Sequence, residues 1–266
     1  MASAPAQPST PAAAPAPARD THEQLQGVLW IETAGEYWGA ARSIYAGARG
    51  AIDRGLSDRK WTAAIEQTGN FGRLPAAVIL DLDETVFDNS RFQGRMVLER
   101  RSYDADLWNT WVEAQSASEV PGAVDFVHYA ELKKVHVFFV TNRTAAQEPA
   151  SIATLARMNI AATPDSVLST NENGWNTTDK SPRRAFVAEK YRILALVGDD
   201  LNDFVSLVDQ SSAQRLTTAR KNVARWGVQW FLVPNPLYGG WDRALTTGVS
   251  DDAAVLAKKR SLVTAF

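Results

Sequence analysis

The run Ala77-Val78-Ile79-Leu80 breaks abruptly into Asp81-Leu82-Asp83-Glu84-Thr85, and that break constrains the fold more than any other feature of the chain. A short, continuous apolar run fits a parallel strand buried on both faces. Ligands collect beyond the carboxyl ends of such strands. In an extended chain Asp81 and Asp83, two positions apart, point to the same side. Two acids at a sheet edge can share a divalent cation, and one can attack an electrophile. Taken alone, the pair also fits a strand-end turn with two solvated acids.

Further segments repeat the pattern. The apolar run 135–140 leads into Thr141-Asn142-Arg143, and the run 193–197 leads into Gly198-Asp199-Asp200-Leu201-Asn202-Asp203. Lys180 stands in TTDKSPRR, just ahead of a predicted helix. Polar groups at three strand ends and one lysine at a helix start form a constellation, which makes the solvated-turn reading a poor one.

Between these segments the patterning predicts helices at 22–54, 58–67, 121–134, 147–158 and 182–190, with a terminal helix over 251–266. Gly27, Gly35, Gly39 and Gly47 count against the first of them. Strands are expected at 77–80, 135–140, 166–169, 193–197 and 228–233. Strands alternating with helices predict an α/β fold, a Rossmann-like three-layer parallel sheet with N-terminal helices. Residues 88–120, with Trp108 and Trp111 on nearby helical turns, read as a small helical cap. The first eighteen residues are almost entirely Ala, Pro and Ser, so 1–20 read as a disordered tether and 21–266 as one domain. A formal net charge of −2 argues against a general binder of nucleic acid or anionic membranes. No cysteine is present, which excludes a thiolate metal site or nucleophile.

The set DLDET, TNR, Lys180 and GDDLND resembles the haloacid dehalogenase superfamily of phosphatases. DNS at 88–90, VPGA at 120–123 and NPLYGGW at 235–241 narrow the resemblance to its acid phosphatase branch, the class C acid phosphatases that include the lipoprotein e(P4) type of 5′-nucleotidase. It runs from about His22 to Trp241. The resemblance implies a Mg²⁺-dependent phosphomonoesterase acting on 5′-nucleotides or similar small esters. Asp81 is then the nucleophile that forms an aspartyl-phosphate. Asp83 protonates the leaving oxygen and later activates water, while its main-chain carbonyl faces the metal. Thr141, Asn142 and Lys180 bind the phosphate. Asp81, Asp83 and Asp199 hold the metal, with Asp203 behind them on a coordinated water. Tyr238, Phe87 and Trp108, with Trp111 nearby, are the candidates to stack on a flat leaving group.

Arg143 fits the site or a structural ion pair equally well. Arg183, Arg184 and Lys190 are poorer phosphate candidates than Lys180. Asp200, where the family usually has Asn, is expected to face outward. His128 and His136 read as structural. The resemblance further implies an exported protein, periplasmic or an outer-membrane lipoprotein, whose tether follows a lost export signal. It implies a homodimer, a small-molecule substrate rather than a nucleic acid polymer, and membrane attachment only through a lipid anchor. Two alternatives stay open: an acid phosphatase of another substrate class, and a surface-anchored binding protein with incidental phosphatase activity.

Overall fold

The computed structural model describes residues 24–207 and 210–264; the predicted tether at 1–20 lies outside them. Five parallel strands make the central sheet: β1 (Ala76–Leu80), β4 (His136–Thr144), β5 (Val167–Thr170), β6 (Arg192–Gly198) and β7 (Trp230–Leu232), in the order β5-β4-β1-β6-β7. The remaining two strands, β2 (Phe87–Asp88) and β3 (Ser118–Glu119), form a short antiparallel ribbon. The chain lays β4 and β5 on one side of β1, then crosses to place β6 and β7 on the other. That reversal leaves a crevice at the carboxyl end of β1, flanked by the ends of β4 and β6.

Period-two alternation divides β1 between two cores. Val78 and Leu80 enter the core shared with Tyr45, Ile52, Phe126 and Leu155, whereas Ala77 and Ile79 enter the one shared with Val187, Phe204 and Trp230. Helices α2 (Gly35–Ser57), α5 (Ala123–Leu132) and α6 (Glu148–Arg157) cover the first face. Helix α7 (Ser181–Lys190) and the turns around Ala63 and Phe204 cover the second. Apolar side chains on both faces explain why the strands read as unbroken apolar runs.

The single N-terminal helix expected at 22–54 is two helices, α1 (Leu25–Thr33) and α2, parted by an extended Ala34. Gly27 is a packing site: a Cβ there would meet the Leu237 side chain at 2.8 Å. The helix expected at 58–67 does not form. Buried Arg192 draws the carbonyls of Gly55 and Asp58 to its guanidinium, and the Ala63 N–H donates to Ile193 O at 2.8 Å. The Gln67 side chain donates to Ala188 O and Tyr191 O and accepts from the Ile193 N–H. Backbone groups that a helix would pair internally are here committed to the sheet edge.

Residues 88–120 fold as α3 (Ser90–Leu98) and α4 (Ala105–Glu113), closed at the base by β2 paired with β3. Trp108 and Trp111, three positions apart on one face of α4, pack on buried Phe92 of α3 at centroid distances of 5.2 and 6.3 Å. The polar segment after the β6 motif forms α8 (Ser212–Lys221), begun by a Ser211–Gln214 capping box. Helices α9 (Gly240–Leu245) and α10 (Asp252–Ser261) are the last elements among the described residues. Among the described residues, no helix is long and apolar enough to cross a membrane.

Candidate active site

A cleft of about 740 Å³ opens over the carboxyl end of the sheet. Asp81, Asp83, Asn142, Lys180, Asp199 and Asp203 line its floor, and Trp108, Tyr103 and Tyr238 line its walls. Val255, Leu256 and Lys259 bring α10 to the rim, where Lys259 pairs with Asp242 at 2.8 Å.

Asp81 is the first residue beyond β1, and its N–H still donates to Val197 O of β6 at 3.0 Å. Its carboxylate is buried and meets Lys180 Nζ at 2.6 Å; the same ammonium meets Asp203 Oδ1 at 2.5 Å. Asp81, Asp199 and Asp203 each offer an oxygen, and these atoms all lie within 4.8 Å of one another. One ammonium meets two of these three carboxylates. Burial pushes the Asp81 carboxyl up against the pull of Lys180, with the charges of Asp203 and Asp83 adding to the rise. Burial likewise raises Asp199 well above the carboxylate range, helped by Asp203 and Asp81. Burial works against Lys180 as well, but Asp203 and Asp81 more than offset it and keep the ammonium charged. Three clustered oxygen donors with surplus negative charge suit a hard divalent cation.

Asp203 therefore stands in the carboxylate group itself, closer in than its expected place behind the ligands. Asp83 goes elsewhere. The strand ends at Leu80, and Glu84 takes a left-handed φ of 55° that turns the chain back so that its N–H meets Phe87 O. Alternation stops with the strand, so the Asp83 carboxylate turns to Arg143 while Asp81 turns to Lys180. Arg143 Nη2 donates to Asp83 Oδ1 at 2.7 Å and Nε reaches both oxygens at 3.1 Å.

Arg143 is buried, donates also to Ser151, and stacks over Phe87 at 4.8 Å and Trp108 at 5.4 Å. Phe87 is fully buried and lies outside the lining of the cleft. Its expected contact with a leaving group is corrected accordingly, since the ring is occupied in seating Arg143. Trp108 and Tyr238 do reach the cleft. Thr141 is fully buried, and its hydroxyl accepts the Arg143 N–H at 3.1 Å, so Asn142 and Lys180 are the phosphate candidates that face the opening.

The two arginines after Lys180 brace the loops. Arg183, fully buried, donates to Thr141 O and, at 2.7 Å, to Asn142 Oδ1. Arg184 grips Glu66 at 2.6 Å and Asn202 O at 2.7 Å. Asp200 does not face outward. It accepts from Arg215 at 2.9 Å, from the Asn202 N–H at 2.9 Å and from the Gly240 N–H. Burial alone would raise its carboxyl, but these donors hold it below its ordinary value. It thus ties the turn after β6 to the segment carrying Tyr238. Asn235 of that segment donates to Asp199 at 2.8 Å.

Sequence reading missed Glu84. It is buried, accepts from the Asn89 N–H at 3.0 Å, from Asn89 Nδ2 at 3.2 Å and from the Tyr238 hydroxyl, and burial beside Asp83 pushes its carboxyl up to about 8. Its one sequence signal is its place inside DLDET. His128 Nε2 donates to Asn159 O, and His136, exposed at the start of β4, packs on Tyr191; neither nears the cleft.

A family model described as HAD superfamily, subfamily IIIB (Acid phosphatase), matches residues 37–241. The class C acid phosphatase from Bacillus anthracis superposes with a TM-score of 0.83 at 29% identity, covering 92% of this chain and 98% of that one. The same enzyme with tungstate bound gives a TM-score of 0.82 over the same shares, again at 29% identity.

Proposed function

This chain belongs to the acid phosphatases of HAD subfamily IIIB and is a phosphoric monoester hydrolase, and from that premise we propose that it is a magnesium-dependent enzyme acting on 5′-nucleotides or similar small esters through an aspartyl-phosphate. The observation that carries this reading is the group of Asp81, Asp199 and Asp203 at the floor of the cleft, two of them paired with Lys180. Those three carboxylates would hold the cation, which when bound offsets charge on the phosphoryl oxygens. The Bacillus anthracis relative binds tungstate, a tetrahedral oxyanion like phosphate, which is in keeping with a phosphate ester as substrate.

In this reading Lys180 and the Asn142 amide hold the phosphoryl oxygens, and Lys180 keeps Asp81 aimed. An Asp81 oxygen bonds to phosphorus as the bond to the leaving oxygen breaks. Asp83 gives that oxygen its proton and is left ionised. It then takes a proton from water as the water oxygen attacks phosphorus, the Asp81–phosphorus bond breaks, and inorganic phosphate leaves. Arg143 fixes the Asp83 carboxylate through its Nε and Nη2 edge. The cleft volume falls within the roughly 300–1,000 Å³ of small-molecule sites, and the rings of Trp108, Tyr103 and Tyr238 favour a flat leaving group.

Chelator is expected to abolish phosphate release from 5′-nucleotides and added Mg²⁺ to restore it, with Mg²⁺ also raising the melting temperature as it offsets the crowded carboxylates. Full turnover in chelator would sink the metal assignment. Turnover of sugar phosphates above nucleotides would move the protein to another substrate class. Arg143→Ala is expected to lower kcat about a hundredfold with a smaller change in KM, because it frees the acid that serves the leaving oxygen. Lysine at 143 lacks the fork and is expected to restore little. Steady-state kinetics on the two variants check this, and an unchanged kcat would detach Asp83 from the chemistry.

A further inference from the structure

Glu84 is the buried acid that the mechanism does not use. It does not line the cleft, yet its carboxylate meets three donors: the Asn89 N–H, Asn89 Nδ2 and the Tyr238 hydroxyl. A carboxylate with donors on both oxygens is satisfied as an acceptor, and an amide in its place would set an N–H group against another donor. Asn89 continues the network. Its Nδ2 also donates to Asp83 Oδ1 at 3.0 Å, and its Oδ1 accepts from Trp111 Nε1 of the cap at 2.8 Å. The left-handed turn at Glu84, φ 55°, is what aims the side chain into this space. Such a conformation is uncommon for a residue with a β-carbon. Two buried side chains, Glu84 and Asn89, thus join the Tyr238 wall of the cleft, the cap tryptophan and the carboxylate of Asp83.

We infer that Glu84 is a positioning residue: it fixes the Tyr238 ring as the wall against which a ring-bearing leaving group lies, and through Asn89 it holds that wall in register with Asp83. This rests on the phosphatase reading and deepens it, because it names the residue through which leaving-group shape reaches the group that protonates it. Glu84 touches neither phosphate nor leaving group. Its effect is therefore selective: it acts on esters whose leaving group carries a ring.

The test compares kcat/KM for a 5′-nucleotide, phenyl phosphate and glycerol phosphate in the parent chain, Glu84→Gln, Tyr238→Phe and the double variant. Glu84→Gln keeps the volume and perturbs the bond from one end. Tyr238→Phe keeps the ring and removes the bond from the other, which covers the case in which the first variant fails to fold. Each single variant is expected to lower the preference for the two ringed esters over glycerol phosphate about tenfold, chiefly through KM, as befits one lost buried hydrogen bond. The double variant is expected to be no worse than either alone, because both remove the same bond. Equal losses on all three esters, or additive losses in the double variant, would overturn the inference and leave Glu84 a structural acid. A parent chain with no preference for ringed esters would overturn it too. The nucleotide reading fails separately, if the parent chain prefers phenyl phosphate to the nucleotide while the variants still lose their preference for rings.

Discussion

An Asp81→Asn variant is expected to fold and to release phosphate at least about 10⁴-fold more slowly than the parent chain, the scale of loss when a nucleophile is removed. Asparagine keeps the shape of the side chain and presents no oxygen able to form the acyl phosphate. The fold should tolerate it. Asp81 is only 8% exposed, and burial already works against its charge. A neutral isostere relieves that cost while giving up one contact to Lys180, which keeps Asp203 at 2.5 Å. In chelator the melting temperature is expected to stay within about 4 °C of the parent, the shift that ~1 kcal/mol produces in a domain of this size. Loss of turnover without loss of fold separates chemistry from architecture. Turnover within about tenfold of the parent would mean that Asp81 is not the attacking group.

Lys180→Met is the opposite case, expected to damage both. The lysine is 4% exposed and is the ammonium that meets Asp81 at 2.6 Å and Asp203 at 2.5 Å. Its removal leaves two buried carboxylates facing each other without a counter-charge. Breaking a buried pair from one side costs about 3–5 kcal/mol, which corresponds to a melting temperature lower by on the order of 10 °C. Because the same carboxylates with Asp199 suit a divalent cation, Mg²⁺ is expected to raise the variant's melting temperature more than the parent's. Thermal melts with and without Mg²⁺ check both parts. A variant as stable as the parent in chelator would show that the three acids do not share the charge burden described here.

The sheet was legible because burial leaves a periodic mark. Val78 and Leu80 face one core and Ala77 and Ile79 the other, so neither face admits a polar residue and the run reads as apolar throughout. The helix expected at 58–67 failed for the converse reason. The Asp58 carbonyl and the Ala63 N–H are claimed by Arg192 and Ile193 of β6, and the Gln67 side chain reaches to the same strand, partners more than a hundred positions away in sequence. Gly27 misled in a similar way, since what looks like a helix breaker is the space Leu237 occupies. The sequence points Asp200 outward because the partners that turn it inward are distant in the chain; Arg215 and Gly240 arrive from α8 and α9.

Read alone, the chain marks which polar groups follow the apolar runs, and the fold puts them there: Asp81 and Asp83 beyond β1, Asn142 at the end of β4, Lys180 ahead of α7, Asp199 and Asp203 beyond β6. A strand buried on both faces must carry an apolar run, and the first charged residue after it must sit at the sheet edge where ligands bind. Which of these groups pair is set by the folded chain. Arg143 reaches Asp83 across 60 positions and Tyr238 reaches Glu84 across 154. Phe87 seats an arginine instead of a substrate. Those choices depend on distance and desolvation between groups far apart in the chain, and the strength of a charge or a hydrogen bond is set there, by the medium around it and the partner opposite.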